Sequence, residues 1–261
     1  NRNKYNRLLK DCDQIESARR PSFTKTIKAI SPSNLLLGNS ESILSLKAQM
    51  EKLAPLNIPI LITGETGTGK DLVARNLHNS SPRAKELFLA INCASISENL
   101  LQSELFGYEK GAFTGALTSH KGIIESAGNG TVFLDEIGDI SQPTQIALLR
   151  LLENGEYRTV GGNKLKKMSC RVIAATNASL EKLVEENAFR RDLFYRLERF
   201  LIHIPPLRER KTDIQELAFY FLQKDRDSTS KVTVSAELIK ALELNLWPGN
   251  IRELRNVMER M

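Results

Sequence analysis

The sequence predicts an α/β fold in which helices flank a parallel sheet and a small all-helical domain follows. Two observations indicate this class. Short, almost entirely apolar runs alternate with helical patterns through residues 35–206, as is typical where the strands of a parallel sheet are buried on both faces. Residues 207–261 carry helical patterns alone, so we expect them to form a helical domain of their own. In a sheet of this kind, ligands bind at the carboxyl ends of the strands.

Hydrophobic periodicity and turn residues predict the individual elements. The predicted strands span 58–63, 87–92, 131–135, 172–176 and 200–204. In the α/β domain, helices are expected at 40–53, 71–79 and 142–154, with a hairpin over 155–171 that turns at 161–163. In the helical domain, three helices are expected at 213–223, 235–245 and 250–261. A linker over residues 1–34 precedes both domains.

The charge distribution argues against a DNA-binding surface on the main body of the chain. The 261 residues are 41% hydrophobic and 26% charged, which is typical of a soluble globular protein, and their net charge is +6. Residues 1–33 hold eight basic and three acidic residues, so they account for +5 of that total. The remainder is close to neutral, and a general role in binding the phosphate backbone is therefore not expected for it.

The linker carries a short amphipathic pattern. Its apolar residues recur at helical spacing, at Tyr5, Leu8, Leu9, Cys12 and Ile15. A helix this short is marginal without a partner, so it is either a solvated tether or a helix that pairs with a second copy. Because the chain has no initiator methionine and stops within a helical pattern, we expect it to be an excised piece of a longer protein.

Cysteine usage and hydropathy predict a cytoplasmic protein. Cys12, Cys93 and Cys170 are scattered singly, so they are interpreted as reduced thiols rather than as disulfide partners or metal ligands. No apolar run approaches the roughly 20 residues that span a bilayer, and the polar first residues do not form a signal peptide.

A glycine-rich segment between the first strand and its following helix fits the phosphate-binding pattern G-x-x-x-x-G-K. It consists of Gly64, Glu65, Thr66, Gly67, Thr68, Gly69 and Lys70. Such a loop can turn backbone N–H groups toward an anion at the positive end of the helix dipole, and Lys70 would neutralise the β and γ phosphates. Asp71 stands where the general motif has a magnesium-contacting Ser or Thr, so metal contact is expected elsewhere. The alternative interpretation is a simple turn.

Two polar sites follow buried strands and extend this chemistry. Asp135 and Glu136 end the strand over 131–135; Asp135 is placed to hold Mg²⁺, directly or through water, and Glu136 to orient or deprotonate the water that attacks the γ-phosphate. Asn177 ends the strand over 172–176 and could hydrogen-bond the γ-phosphate or that water. It could equally be a turn residue.

The segment Glu104–Ala116, ELFGYEKGAFTGA, resembles the signature of the AAA+ domain of NtrC-like, sigma-54-dependent bacterial enhancer-binding proteins. The resemblance extends over nearly nine tenths of the chain. It includes the phosphate loop, FLDEIG at 133–138, AATN at 174–177, FRRDL at 189–193, PPLRER at 205–210 and WPGNIREL at 247–254. An acidic residue at Asp71 also fits, since this family commonly has one there. The resemblance implies a P-loop AAA+ ATPase that uses ATP and Mg²⁺ and carries a helical lid domain.

The resemblance also implies roles for four further residues. Arg190 and Arg196 match the arginine fingers that reach the γ-phosphate bound by a neighbouring subunit, although a basic pair on an exposed helix is otherwise surface charge. Arg252 matches a sensor arginine of the lid, and the sequence places it in the first turn of a helix with Asn250 as N-cap. Asn92 matches the position that pairs with Glu136 in the family, or it is a cap at a strand end.

The remaining implication concerns a partner. The family's GAFTGA loop corresponds to Gly111, Ala112, Phe113, Thr114, Gly115 and Ala116. Its small residues predict a flexible tip with one exposed aromatic ring, unless Phe113 packs under a surface turn. By resemblance the partner is sigma-54 bound to RNA polymerase, ATP turnover opens the promoter complex, subunits form a hexameric or heptameric ring, and DNA is bound by a domain beyond this chain's end.

Three other functions compete with this one. A nucleotide-dependent oligomeric regulator that does not hydrolyse ATP is opposed by Glu136 and by both finger arginines. A GTPase is disfavoured because Lys166 stands where the guanine-reading pattern N-K-x-D requires aspartate. A sequence-specific DNA-binding protein is disfavoured because the fragment contains no segment that resembles a DNA-reading helix.

Overall fold

The computed structural model describes residues 36–224 and 234–261, so the predicted linker helix lies outside the described residues. Seven strands are present in this part of the chain. They are β1 Ile60–Thr63, β2 Phe88–Asn92, β3 Thr131–Asp135, β4 Glu156–Tyr157, β5 Lys166–Lys167, β6 Arg171–Thr176 and β7 Leu201–His203. All five strands predicted for the main sheet are therefore confirmed, within one or two residues at each end.

The main sheet has the order β2-β3-β6-β1-β7, and all its strands are parallel. In its register, Thr63 lies opposite both Thr176 and His203, and Asn92 lies opposite Asp135. Because parallel strands share one carboxyl edge, the polar residues that follow β1, β2, β3 and β6 are brought to the same edge of the sheet. The predicted parallel α/β sheet is confirmed.

Ten α-helices accompany these strands in the described residues. They are α1 Glu41–Leu53, α2 Lys70–Asn79, α3 Glu98–Phe106, α4 Ile123–Ser126, α5 Gln142–Asn154, α6 Leu180–Glu185, α7 Arg191–Glu198, α8 Ile214–Lys224, α9 Ala236–Leu244 and α10 Asn250–Met258. The helices predicted from 40, 71, 142, 213, 235 and 250 are confirmed. Sequence periodicity missed α3, α4, α6 and α7, because they have between one and two and a half turns and give too few repeats to define a face.

The described residues form two compact units. One comprises Leu46–Glu65 and Lys70–Ile204 and contains both sheets. Its core packs strand residues such as Leu134 and Ala174 against helix residues such as Leu148 and Leu193. The short antiparallel pair β4–β5 lies in the same unit and confirms the hairpin. None of the helices in the described ranges is long and apolar enough to cross a membrane.

The other unit is helical and includes a piece of the phosphate loop. It contains Thr66–Gly69, Pro205–Met261 apart from the residues that are not described, and the described residues up to Ser45. Its core surrounds Trp247, which is fully buried and whose indole N–H donates to the Leu242 carbonyl at 2.7 Å. The tip of the phosphate loop therefore packs with the helical residues, which sequence periodicity could not reveal.

Candidate functional site

The phosphate loop has the backbone conformation that its glycines predict. Gly67 and Gly69 have φ angles of 81° and 101°, in the left-handed region that favours glycine. A Cβ atom on Gly67 would lie 2.3 Å from the carbonyl oxygen of Gly249, so no larger residue fits there. The loop is thus held against the segment before α10, and its shape depends on glycine at position 67.

Lys70 is the first residue of α2, and its side chain is only 7% exposed. The ammonium group donates to the Gly64 carbonyl at 3.0 Å and lies 3.6 Å from Oε1 of Glu136. A buried cation requires such partners, because desolvation of an unpaired charge is costly. The structure therefore joins the lysine of the phosphate loop to the acidic residue that follows β3.

Glu136 adopts an unusual backbone conformation for a non-glycine residue, with φ 53° and ψ 52°. Strain of this kind costs of order 1–3 kcal/mol and is concentrated at functional sites. The second carboxylate oxygen, Oε2, accepts a hydrogen bond from the backbone N–H of Asn177 at 3.1 Å. The sequence predicted a role for the side chain of Asn177, whereas the backbone N–H of this residue makes the contact with Glu136.

Asn92 contacts the other carboxylate of the pair, which corrects one expectation. Its side-chain N–H donates to Oδ2 of Asp135 at 3.4 Å, whereas the resemblance implied Glu136 as the partner. The parallel register explains the difference, since Asn92 lies directly opposite Asp135 and Glu136 is turned toward Lys70. The Oδ1 atom of Asn92 also accepts from the Ser95 N–H at 3.0 Å, so the residue is a cap as well.

The local electrostatics favour a cation beside Asp135. Burial raises the pKa of this carboxyl above its ordinary value, the negative charge of Glu136 raises it further, and Lys70 opposes both effects.

Burial and the nearby carboxylates raise the pKa of the Cys93 thiol to about 12. Cys93 and Cys170 are buried free thiols, as predicted, and Cys93 is protonated and unreactive at neutral pH.

The donor set at this edge fits Mg²⁺ better than a metal held by protein ligands alone. Within the described ranges, no group of three or more His, Cys, Asp or Glu side chains could hold an ion. Magnesium in nucleotide sites uses one or two carboxylates together with phosphate oxygens and water. Asp135 offers such a carboxylate, while Asp71 is exposed in the first turn of α2.

The backbone of the loop tip is bonded to residues near α10. The side-chain N–H of Asn250 donates to the Thr66 carbonyl at 3.1 Å, and the backbone N–H of Arg252 donates to the Gly67 carbonyl at 3.3 Å. The prediction of Asn250 as N-cap is wrong: the N-cap is Gly249, whose N–H donates to Glu253 at 2.9 Å. Asn250 instead has φ 53° and is fully buried, and its side chain forms a hydrogen bond to the phosphate loop.

The two finger candidates lie on or beside α7 and have partners within the same unit. Arg190 donates from Nε and Nη2 to the carboxylate of Asp192, at 3.0 and 2.6 Å. Arg196 donates to the Leu152 carbonyl at the end of α5, at 3.2 and 2.9 Å. Arg190 is therefore in a weak, solvent-screened pair, and Arg196 caps a helix carbonyl.

Residues 111–116 form the tip of an excursion between α3 and α4. The backbones of Tyr108 and His120 pair at its base, and the Gly111 N–H donates to the Ala116 carbonyl at 2.9 Å. The Phe113 ring is 44% exposed and lies edge-on to the Tyr108 ring, with the centroids 5.0 Å apart. Ala116 is buried, so the exposed surface of the loop is formed by Gly111–Gly115.

A cavity of about 350 Å³ adjoins the start of the phosphate loop and was not indicated by any motif. Both apolar and polar residues line it. It is lined by Leu61, Thr63, Gly64, Glu65, Asn177, Ala178, Ser179, Leu180, Glu181, Phe194, Glu198, Leu201 and His203. The imidazole of His203 hydrogen-bonds the Thr63 hydroxyl at 3.1 Å across the β1–β7 pair.

Comparison with known proteins agrees with this arrangement. Residues 36–203 match the family described as the sigma-54 interaction domain, and residues 208–261 match the AAA+ ATPase lid domain. A Nif-specific regulatory protein of Azospirillum brasilense is 48% identical over 230 residues, which are 88% of this chain and 37% of that protein. The regulatory protein AtoC of Escherichia coli K12 is 46% identical over 227 residues, 86% of this chain and 49% of that protein.

A solved structure agrees as well. The crystal structure of NtrX from Brucella abortus in complex with ATP has a TM-score of 0.79 and 36% sequence identity, covering 87% of this chain and 50% of that one. The chain spans less than half the length of the two regulatory proteins. Because the family match covers most of its residues, this chain belongs to the sigma-54 interaction domain family of sigma-54-dependent transcriptional activators, with a P-loop AAA+ fold and a helical lid domain.

Proposed function

We propose that this chain hydrolyses ATP and uses the turnover to open promoter complexes, engaging sigma-54 RNA polymerase through Gly111–Ala116. The observation that carries the hydrolytic part is the approach of Lys70 and Glu136 to 3.6 Å at the carboxyl edge of a parallel sheet. This distance is too long for a strong hydrogen bond. A phosphate can therefore bind the Lys70 ammonium group without breaking a hydrogen bond between Lys70 and Glu136. The complex of NtrX with ATP supports nucleotide binding by analogy.

Each residue of the site has a role in this proposal. The N–H groups of the phosphate loop and Lys70 bind the β and γ phosphates. Mg²⁺, when bound, neutralises developing charge on the triphosphate. Asp135 holds the metal directly or through water, and Asn177 contacts the γ-phosphate. Glu136, oriented by the Asn177 N–H, positions the attacking water and accepts its proton.

For assembly and partners, the proposal relies on the resemblance to the family. Arg190 and Arg196 would leave their present partners and reach the nucleotide of a neighbouring subunit in a hexameric or heptameric ring, and Arg252 would sense the γ-phosphate. We divide the chain into a linker over 1–34, an α/β domain over 35–206 and a lid over 207–261. DNA would be bound by a further domain of the whole protein, which would act in the cytoplasm with RNA polymerase.

Replacement of Glu136 tests the hydrolytic role against a regulator that only binds ATP. Glu136→Gln keeps the size and the acceptor for the Asn177 N–H but removes the base, so we expect phosphate release to fall by about two orders of magnitude or more. ATP binding should stay within a few-fold of the parent. Glu181→Gln is the control, because this exposed glutamate accepts a hydrogen bond from the Ser179 hydroxyl at 2.8 Å and has no role in the proposed chemistry. Parent-like turnover in Glu136→Gln would exclude the assignment, and no turnover in the parent would favour the non-hydrolysing regulator.

A further inference from the structure

Three consecutive carbonyl oxygens at the tip of the phosphate loop accept hydrogen bonds from the helical unit that contains the tip. Asn250 Nδ2 donates to Thr66 at 3.1 Å, and the Arg252 backbone N–H donates to Gly67 at 3.3 Å. Arg210 Nη2 donates to Thr68 at 3.3 Å. All the residues involved belong to one compact unit, so these contacts form part of its packing.

Because the peptide group is planar, the contacts of these carbonyl groups also fix the directions of the neighbouring N–H groups. In a trans peptide, the carbonyl of one residue and the N–H of the next point in opposite directions. Fixing the carbonyls of Thr66, Gly67 and Thr68 therefore turns the N–H groups of the three following residues away from these donors. The N–H groups of Gly67, Thr68 and Gly69 are those with which a loop of this kind binds phosphate.

We propose that Arg210 and Asn250 are positioning residues that hold the phosphate loop in its anion-binding conformation. The proposal rests on the proposed function, since it concerns the same ATP site. This role of the lid residues Arg210 and Asn250 is separate from any contact between Arg252 and the nucleotide. The lid residues orient the loop through its carbonyl oxygens, and the loop presents its N–H groups to the triphosphate.

The burial of the charged Arg210 side chain costs folding free energy. Its side chain is 1% exposed, and its Nε atom has no hydrogen-bond partner in the described part of the chain. Burial lowers the pKa of the guanidinium, and the charge of Asp213 offsets this in part. A buried cation with an unsatisfied donor is destabilising, so packing alone does not account for an arginine beside the Thr68 carbonyl.

Asn250 is suited to link the loop with the start of the lid. Its Oδ1 accepts from the Leu207 N–H at 2.8 Å while its Nδ2 donates to Thr66. Its φ of 53° is a conformation that asparagine and glycine tolerate better than most residues. The close approach of Gly67 to the Gly249 carbonyl keeps the loop in register with this residue.

Titration of the whole chain with Mg²⁺ and ATP, combined with apo melting curves, tests the proposal. Arg210→Met keeps volume but removes the donor, and Asn250→Gly keeps the backbone conformation but removes both side-chain bonds. We expect each to bind ATP at least tenfold more weakly. We expect Arg210→Lys, which can still donate to Thr68, to recover most of the affinity. Asn250→Asp keeps the acceptor for Leu207 and cannot donate to Thr66, so it serves if the glycine variant does not fold.

Two matched controls lie in the same unit. Asn245→Asp keeps the acceptor for the Leu246 N–H, and Arg255→Met removes an exposed arginine that pairs with Glu259. Both should bind ATP as the parent does. A merely structural role for Arg210 and Asn250 would lower the melting temperature and leave affinity unchanged, and that result would overturn the proposal. Weakening in Asn250→Asp but not in Asn250→Gly would indicate charge repulsion and would also overturn the assignment of Asn250. A parent that binds no ATP would instead overturn the proposed function.

Discussion

At the scale of single residues, the adjacent carboxylates Asp135 and Glu136 show how one strand end provides two different environments. Asp135 ends β3, contacts Asn92 and is partly buried, so its charged form is disfavoured. Glu136 takes a left-handed backbone conformation and turns to Lys70 and the Asn177 N–H. In the proposed function, Asp135 would hold a cation and Glu136 would position a water. Without them, the buried charge of Asp135 and the strained backbone of Glu136 cost stability.

The raised pKa of Asp135 gives a prediction about stability. Because the folded pKa lies above the unfolded one, folding stability falls as pH rises from the ordinary carboxyl value through the raised one. Asp135→Asn should therefore raise the apo melting temperature at pH 7.5 relative to the parent, and the difference should shrink toward pH 4. Thermal melts at both pH values measure this, while magnesium-dependent hydrolysis should be lost.

Asp192→Asn is the control of opposite sign. Arg190 holds the pKa of Asp192 below its ordinary value in an exposed pair, so removal of this carboxylate should not raise stability at neutral pH. If Asp135→Asn melts lower than the parent at pH 7.5 without magnesium, burial and repulsion are not the dominant effects at that carboxylate.

At the scale of elements, the excursion between α3 and α4 is fixed at its base and exposed at its tip. A Cβ atom on Gly122 would lie 2.4 Å from the Gly107 nitrogen, so the two chain segments approach more closely than side chains allow. The Tyr108 ring stacks on the His120 ring and makes an edge-to-face contact with the Phe113 ring. Within the tip, the Gly111 N–H donates to the Ala116 carbonyl and the Ala116 N–H donates to the Phe113 carbonyl, and the flexibility of the tip stays a prediction.

Phe113→Ala and Thr114→Ala should separate hydrolysis from partner binding. Neither side chain carries a group suited to phosphoryl transfer, so the ATPase rate should stay within about two-fold of the parent. If Phe113 anchors a transient interface, its truncation should cost at least about 2 kcal/mol of sigma-54 binding, which is typical of buried aromatic anchors, and should abolish open-complex formation. The measurements are ATPase rate, sigma-54 capture with ADP and aluminium fluoride, and open-complex yield.

Leu244→Ala is the matched control for loss of an exposed apolar side chain. Leu244 is 81% exposed and ends α9 in the helical unit, so its truncation should leave sigma-54 capture intact. Equal capture by the parent, Phe113→Ala and Thr114→Ala would show that residues 111–116 are an ordinary surface turn.

At the scale of the whole molecule, the proposed finger role of Arg190 and Arg196 predicts that the site is completed by a second subunit. Arg190 and Arg196 contact Asp192 and the Leu152 carbonyl in the single chain, and neither contact involves the phosphate loop. Homo-oligomers of Arg190→Ala should lose hydrolysis, as should those of Lys70→Ala. A mixture of the two should regain part of it, because an intact finger can then face an intact loop across the interface. Phosphate release as a function of mixing ratio measures this.

Ring formation in the mixture must be verified by solution mass with an ATP analogue. A mixture that assembles but shows no recovery at any ratio would place the arginines in the chemistry of their own subunit. Arg191→Ala is a suitable control, since this exposed neighbour at the start of α7 does not match either finger position.

The sequence by itself determined the features that local patterns encode. Apolar runs and turn residues located the five strands of the main sheet, because strands buried on both faces need uninterrupted apolar sequence. Gly67, Lys70, Asp135 and Glu136 could be assigned from spacing, since the loop and the strand ends follow directly from the order of the elements. Several helices of one to two and a half turns were missed, because so few residues define no periodicity.

Only the tertiary structure decided which groups far apart in the chain meet. The parallel register placed Asn92 opposite Asp135 rather than beside Glu136, and backbone strain turned Glu136 toward Lys70. Asn250 fitted an N-cap pattern, but its side chain bonds the Thr66 carbonyl, 184 residues away. Packing settles such contacts because a side chain's hydrogen-bonding capacity is local, whereas the partner that satisfies it depends on how distant segments come together.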